Sequence, residues 1–207
     1  MQFPDARILI LAKLPRPGVV KTRLIPVLGA SGAAELALRL LRRTVERASG
    51  SRLAPVECWV TPNCGGFDRF PWCRGLMFDC HVQCAGDLGQ RMKHAFSQAL
   101  KQANAAVLIG ADCPVLQPRH LDQAIRWLET GSDAVLGPAE DGGYVLLGLR
   151  RVDPLLFDGM PWGTGYVLEE TRRRLVSLGW DWEELEPLWD VDRPQDLRRL
   201  NLSCLKL

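Results

Sequence analysis

The 207-residue chain has no C-x-x-C pair, no G-x-S-x-G and no H-E-x-x-H, and its three histidines stand far apart. These gaps remove the usual signatures of a nucleophile-and-base hydrolase and of a zinc protease. His81, His94 and His120 therefore read as surface or structural groups. Seven cysteines without a secretory leader are expected to be free thiols. Cys64, Cys73, Cys80 and Cys84 cluster in sequence but lack metal-ligand spacing. The net charge is only +2, short of the strongly basic balance of a nucleic-acid-binding domain. No apolar run is expected to reach the length of a membrane span, and the start has no basic region followed by an apolar stretch and cleavage site. A soluble, cytoplasmic protein is the expectation.

The small net charge conceals an asymmetry. Residues 1–52 hold ten Lys and Arg against three Asp and Glu, whereas residues 53–207 hold sixteen against twenty-one. Part of the early excess (Arg39, Arg42, Arg43, Arg47) falls on the outer face of one predicted helix. Four more sit in a single loop. After the aliphatic run Arg7–Leu11, the cations Lys13, Arg16, Lys21 and Arg23 fall within eleven residues that also contain Pro15, Pro17 and Gly18. A short aliphatic run of this kind reads as a buried parallel strand, so the loop leaving it reaches the carboxyl edge of a sheet, where open α/β folds bind ligands. Four cations so confined repel one another unless an anion or solvent separates them. A polyphosphate site is one reading and a solvated basic loop the other. Gly18-x-x-Lys21-Thr22 resembles a P-loop only superficially, because the glycine beside the lysine and the spaced first glycine are missing.

Along the chain, apolar spacing predicts a helix from Ser31 to about Ala48, with Leu38, Leu41, Val45 and Ala48 inward. A strand is expected at Val56–Val60 and a short one within Leu76–Gln83. Asp87 is placed to cap a helix running to about Ala103. Ala105–Ile109 reads as a strand, and Pro118 to Thr130 as a helix closed by Gly131. Ala134–Leu136 and Tyr144–Leu147 read as strands, Thr164–Leu178 as a helix, Leu185–Trp189 as a strand and Pro194 to about Leu200 as a helix. Alternating strands and helices give an α/β fold, a mostly parallel sheet covered on both faces, expected as one domain over residues 1–207.

Carboxylates mark the same sheet edge. Pro114 keeps Cys113 out of helical geometry, so Asp112 stands just past a strand's carboxyl end. A magnesium ion on a nucleotide takes one or two protein carboxylates, with phosphates and water completing its shell. Asp190 and Asp192 lie on one side of their segment if it is extended. For Asp192, helix capping ahead of Pro194 competes with metal binding.

Six motifs then occur in a telling order. They are Lys13 to Leu24, Gly86 to Met92, Gly110 to Pro114, Gly137 to Tyr144, Trp162 to Thr164, and Asp190 to Pro194. The chain thereby resembles the glycosyltransferase A-type nucleotide-diphospho-sugar transferase superfamily, in its bacterial selenodomain-associated transferase branch. That branch is similar to the molybdenum cofactor and phospholactate guanylyltransferases. The resemblance implies a Rossmann-like sheet with a nucleotide over its carboxyl edge, Lys13, Arg16, Lys21 and Arg23 on the phosphates, and Mg2+ (or Mn2+) at Asp112 and Asp192. The superfamily commonly carries Asp-x-Asp where this chain has Ala111-Asp112-Cys113, so the second ligand must come from elsewhere.

The expected activity is a nucleotidyltransferase or nucleotide-diphospho-sugar transferase acting on a nucleoside triphosphate or nucleotide-sugar and a small acceptor. Lys21 and Asp112 would carry the chemistry, since cations facing a leaving pyrophosphate require no protein nucleophile. Asp87 and Arg91 are candidates for base or ribose contact, with simple capping the alternative for Asp87. Asp141, Gly142 and Gly143 offer bare backbone to an acceptor or form an ordinary hairpin turn. Trp162, Gly163 and Thr164 form a candidate substrate wall, against a plain packing role for the tryptophan. The rival reading is a catalytically inactive nucleotide-sensing or partner-binding module.

Overall fold

Strands of Ile, Leu, Val and Ala alternate with amphipathic helices in the computed structural model, which describes residues 1–61 and 75–200. In chain order the elements are β1 (Ala6–Lys13), α1 (Ile25–Ser51), β2 (Val56–Thr61), β3 (Asp79–Val82), α2 (Leu88–Ala99), β4 (Ala105–Gly110), α3 (Pro118–Thr130), β5 (Ala134–Pro138), β6 (Tyr144–Leu149), α4 (Val167–Leu178) and β7 (Trp182–Glu184). Among the described residues the strands form one seven-stranded sheet in the order β3-β2-β1-β4-β6-β5-β7. Only β6 runs against its neighbours β4 and β5. The sheet is therefore mixed and mostly parallel, as expected.

Alternation along the strands feeds two cores, which is why both faces read as apolar. Ile8, Ile10, Val107 and Ile109 pack with Leu41 and Val45 of α1 and Leu121, Ile125 and Leu128 of α3. Leu9, Leu108, Leu136 and Leu147 pack on the other face with Met92 and Phe96 of α2 and Leu168 and Leu175 of α4.

Several boundaries differ from the sequence expectation. α1 is two helical pieces joined across a kink at Gly29, whose backbone is non-helical at φ 69°, a value glycine tolerates; the piece after the kink starts beside the expected Ser31, and the turns before it were not foreseen. Leu36 and Leu40 are buried on α1, whereas Leu38 is only half-buried. By length and composition Thr22–Ser51 would pass as a membrane-spanning segment, contrary to the expectation that none would. In the fold it packs on the sheet, and Arg39 and Arg42 pair with Glu35 and Glu46 on its outer face. The last strand is Trp182–Glu184 rather than Leu185–Trp189; of the latter, Leu188 makes only an isolated bridge to Ala139. Pro194–Arg198 is a short 3-10 helix. Cys64 and Cys73 lie outside the described residues.

The strand order positions the site. β1 connects through α1 to β2 on one side, and β4 lies on its other side, so the order reverses between β1 and β4. Such a switch point opens a crevice at the carboxyl ends of the strands. Leu11 pairs with Gly110 across it, and two residues beyond each stand Lys13 and Asp112.

Candidate functional site

A cavity of about 590 Å³ lies at this switch point. Its wall includes Lys13, Lys21, Arg23, Arg91, Asp112, Asp141, Gly143, Trp162, Thr164, Asp190 and Asp192. The fold thus gathers residues from every motif noted in the sequence. Arg16, Asp87 and Gly142 are not among the lining residues. Arg16 is exposed, with its carbonyl closing the turn to Val19.

Lys21 is the most constrained of the cations. Its side chain is only 6% exposed, and its Nζ donates to Val191 O at 2.5 Å and pairs with Asp112 Oδ2 at 2.8 Å. The Val191 N–H donates to Asp112 O at 3.0 Å, so the Asp190–Asp192 segment is clipped onto the turn after β4. Arg23 pairs with Asp192. Two of the predicted phosphate-binding cations therefore sit on the two predicted metal ligands.

Asp190 occupies a different electrostatic place. Burial, followed by the neighbouring Asp141 and Asp112 carboxylates, pushes its carboxyl up to about 6, against the pull of Lys21. Three carboxylates thus crowd one wall with a single buried cation among them. That donor chemistry suits a divalent ion, with Asp112 and Asp190 on the same charge cluster and Asp192 held by Arg23. Among the described residues no three His, Cys, Asp or Glu side chains are grouped to hold an ion by themselves. A nucleotide-bound magnesium draws only one or two ligands from protein. Cys113 is buried, and that burial pushes its thiol up to about 11, leaving it protonated and inert.

The opposite wall is built on α2 and the loop before α4. Asp87 caps α2: its Oδ1 accepts from Gln90 N at 2.8 Å, and the Gln90 side chain accepts from Asp87 N at 3.0 Å. This capping box accounts for Asp87 without a ligand. Arg91, one turn on, faces the cavity, and its Nε is buried without a partner among the described residues. Trp162 lies over Gly89, where a Cβ would approach its Nε1 to 2.7 Å, and meets Tyr144 edge-on at 6.4 Å. It is both packing and wall. Asp141 Oδ1 accepts from Gly143 N at 2.9 Å. At Gly142, with φ 88°, a Cβ would come within 2.2 Å of Gly165 O. Its bareness admits protein backbone instead of a ligand.

A buried polar lining residue was read in the sequence only as the end of a short strand. Gln83 follows β3 directly, is 8% exposed, and donates its side-chain amide to Ala12 O and Trp59 O. A polar residue at the carboxyl end of a strand was its available signal.

Residues 44–164 match the family described as "Uncharacterized protein conserved in bacteria (DUF2064)". Among solved structures, the chain is similar to a proposed nucleotide-diphospho-sugar transferase from Desulfovibrio desulfuricans G20. The two share 30% identity over 98% of this chain and 94% of that one, with a TM-score of 0.84. A nucleotidyl transferase from Methanothermobacter thermautotroptrophicus is 15% identical, with 97% and 98% of the two chains covered and a TM-score of 0.61. A Mycobacterium tuberculosis H37Rv protein, Rv0371C in complex with manganese, is 18% identical, with 96% and 99% covered and a TM-score of 0.56. The last two show the shared fold. No curated protein matches the chain.

Proposed function

The chain belongs to the DUF2064 family, and from that premise we propose that it is a magnesium-dependent transferase. It moves a nucleotidyl group, or a sugar from a nucleoside diphosphate, to a small acceptor. The observation that carries this reading is the Lys21 bridge, one ammonium fixed between Asp112 and Val191 O inside the switch-point cavity. The likeness to the Desulfovibrio protein supports the substrate class. Placement in the selenodomain-associated branch belongs to the same proposal and rests on the ordered motifs.

In nucleotidyl transfer an acceptor phosphate oxygen attacks the α-phosphorus, the bond to the bridging oxygen breaks, and pyrophosphate leaves. Lys13 and Arg23 hold the outer phosphates. Lys21, already desolvated and oriented, faces the charge that builds on the leaving group. Asp112, with Asp190 or Asp192, would hold Mg2+ or Mn2+, which when bound supplies Lewis-acid stabilisation at phosphate oxygens. Arg91 contacts the nucleotide, and Trp162, Thr164 and Gly143 wall the acceptor. In sugar transfer the phosphate contacts stay the same, and Asp141 takes the proton of an acceptor hydroxyl.

A second reading, a nucleotide-binding module without turnover, is favoured by one observation: Asp112 and Asp192 already carry cation partners. The test is thermal stabilisation by GTP, CTP, ATP, UTP and their diphospho-sugars with Mg2+ or EDTA. Pyrophosphate and nucleoside diphosphate release are then followed with phosphorylated and hydroxylated acceptors. Transfer predicts Mg2+-dependent stabilisation and turnover that Asp112→Ala abolishes while the fold persists. Unchanged nucleotide binding in that variant, with no turnover in either protein, supports the module. Absence of stabilisation by every nucleotide overturns both.

A further inference from the structure

Gln83 lies across the ends of β1 and β2. Its backbone N–H continues the ladder to Val60 O at 2.9 Å, and its Nε2 donates to Ala12 O at 2.9 Å and Trp59 O at 2.8 Å. Both partners are carbonyls, so the amide can be oriented in only one way and both its hydrogens are committed. Oε1 is left with two lone pairs and no donor among the described residues. Gln83 lines the cavity and is itself more than nine-tenths buried. The fold therefore fixes a hydrogen-bond acceptor on a residue of the switch-point cavity wall.

We propose that Gln83 Oε1 reads the base, selecting nucleotides whose base carries an exocyclic amino group over those of uracil. This rests on the nucleotide-transferase reading above. An acceptor that cannot rotate into a donor discriminates by what faces it. Cytosine, adenine and guanine each present an amino group with two hydrogens. Uracil's ring donor sits between two carbonyl oxygens, which would face the same fixed oxygen and be repelled. A site built to accept from a ligand N–H rejects the analogue lacking it strongly, because the buried acceptor is then left unpaired. Lys13, the last residue of β1, lies beside Ala12, so the base reader and a phosphate-binding cation are held by the same strand end.

The test is calorimetric titration of the wild-type protein with three pairs that differ at the amino position. These are CTP and UTP, ATP and purine riboside triphosphate, and GTP and ITP, each with Mg2+, and with pyrophosphate as a base-free probe. At least one amino-bearing member is expected to bind ten-fold or more tightly than its mate. Gln83→Met is expected to shrink that preference to threefold or less while pyrophosphate affinity holds. Equal binding within every wild-type pair would overturn the proposal without any variant, and so would a preference that survives in Gln83→Met. If the wild type binds neither triphosphates nor pyrophosphate, the nucleotide reading itself falls and this one with it. If it binds triphosphates without regard to the amino group, only the role of Gln83 falls.

Discussion

Lys21 Nζ lies 2.8 Å from Asp112 Oδ2 and 2.5 Å from Val191 O, so one ammonium joins the loop after β1, the turn after β4 and the Asp190–Asp192 segment. The backbone at Lys21 has φ 48°, a region that non-glycine residues occupy sparingly. The contacts of its side chain offset that strain. The ion pair joins a nearly buried ammonium to a half-exposed carboxylate, so water screens one end and leaves the other dependent on its partners.

Lys21→Met keeps the length of the side chain and removes the charge. Val191 O loses its donor, and Asp112, Asp141 and Asp190 are left facing one another. Loss of a charged hydrogen bond at such a position costs on the order of 1–3 kcal/mol, and urea denaturation at neutral pH should show it. Triphosphate affinity should fall as well. Unchanged stability in the variant would mean that the bridge does not hold in solution.

The sheet and its edge were legible because local patterns made them so. Ile8 to Ile10 and Val107 to Ile109 are buried on both faces, and such strands read as unbroken aliphatic runs. Asp112 could be placed from Pro114 and the strand before it. The pairing of Lys21 with Asp112 and of Arg23 with Asp192 could not, because residues so far apart in sequence meet only through the strand order. Asp190 and Asp192 look equivalent on an extended segment, and only burial and neighbouring charge separate them. Gly142 looked open to a ligand because nothing in sequence announces that Gly165 packs against it.

His120 gives the fold a predicted pH dependence. Its side chain is 1% exposed at the third position of α3; Nδ1 accepts from Gln117 N at 3.0 Å, which places the ring hydrogen on Nε2, facing Glu186 at 3.1 Å. Burial lowers its pKa from the ordinary 6.5, with Arg119 and Arg47 adding to the shift and Glu186 opposing it. Between the lowered folded value and 6.5 the unfolded chain binds more protons, so stability is lost as pH falls through that window. Asp190 acts in the opposite sense. Its raised pKa contributes stability at low pH that is lost as pH rises from 3.8 to about 6. The difference between wild type and His120→Gln isolates the histidine, since Gln can still close the capping box. Urea denaturation at pH 7.5 and 5.5 should show the wild type losing more stability than the variant, by no more than about 1.4 kcal/mol per pH unit. Equal losses would remove His120 as the cause.

Gly142→Ala tests whether the wall around Asp141 is held by packing. The new Cβ would meet Gly165 O at 2.2 Å on a backbone with φ 88°, so both contact and conformation oppose it. Gly142 O also accepts from Leu168 N at 2.9 Å, which ties the loop to the first turn of α4. Relieving the clash must move either the Asp141–Gly143 turn or the Thr164–Tyr166 loop, and both end on the cavity. A positive-φ glycine replaced under such a clash is expected to cost about 2 kcal/mol or more. Gly159→Ala is a matched control, with φ 65° and open space around its Cβ. It shares the backbone cost without the clash, so Gly142→Ala should be the less stable of the two on thermal denaturation. It alone should also weaken acceptor-dependent turnover. Equal stability in the pair would show that the Gly165 contact yields freely and that Asp141 is not positioned by it.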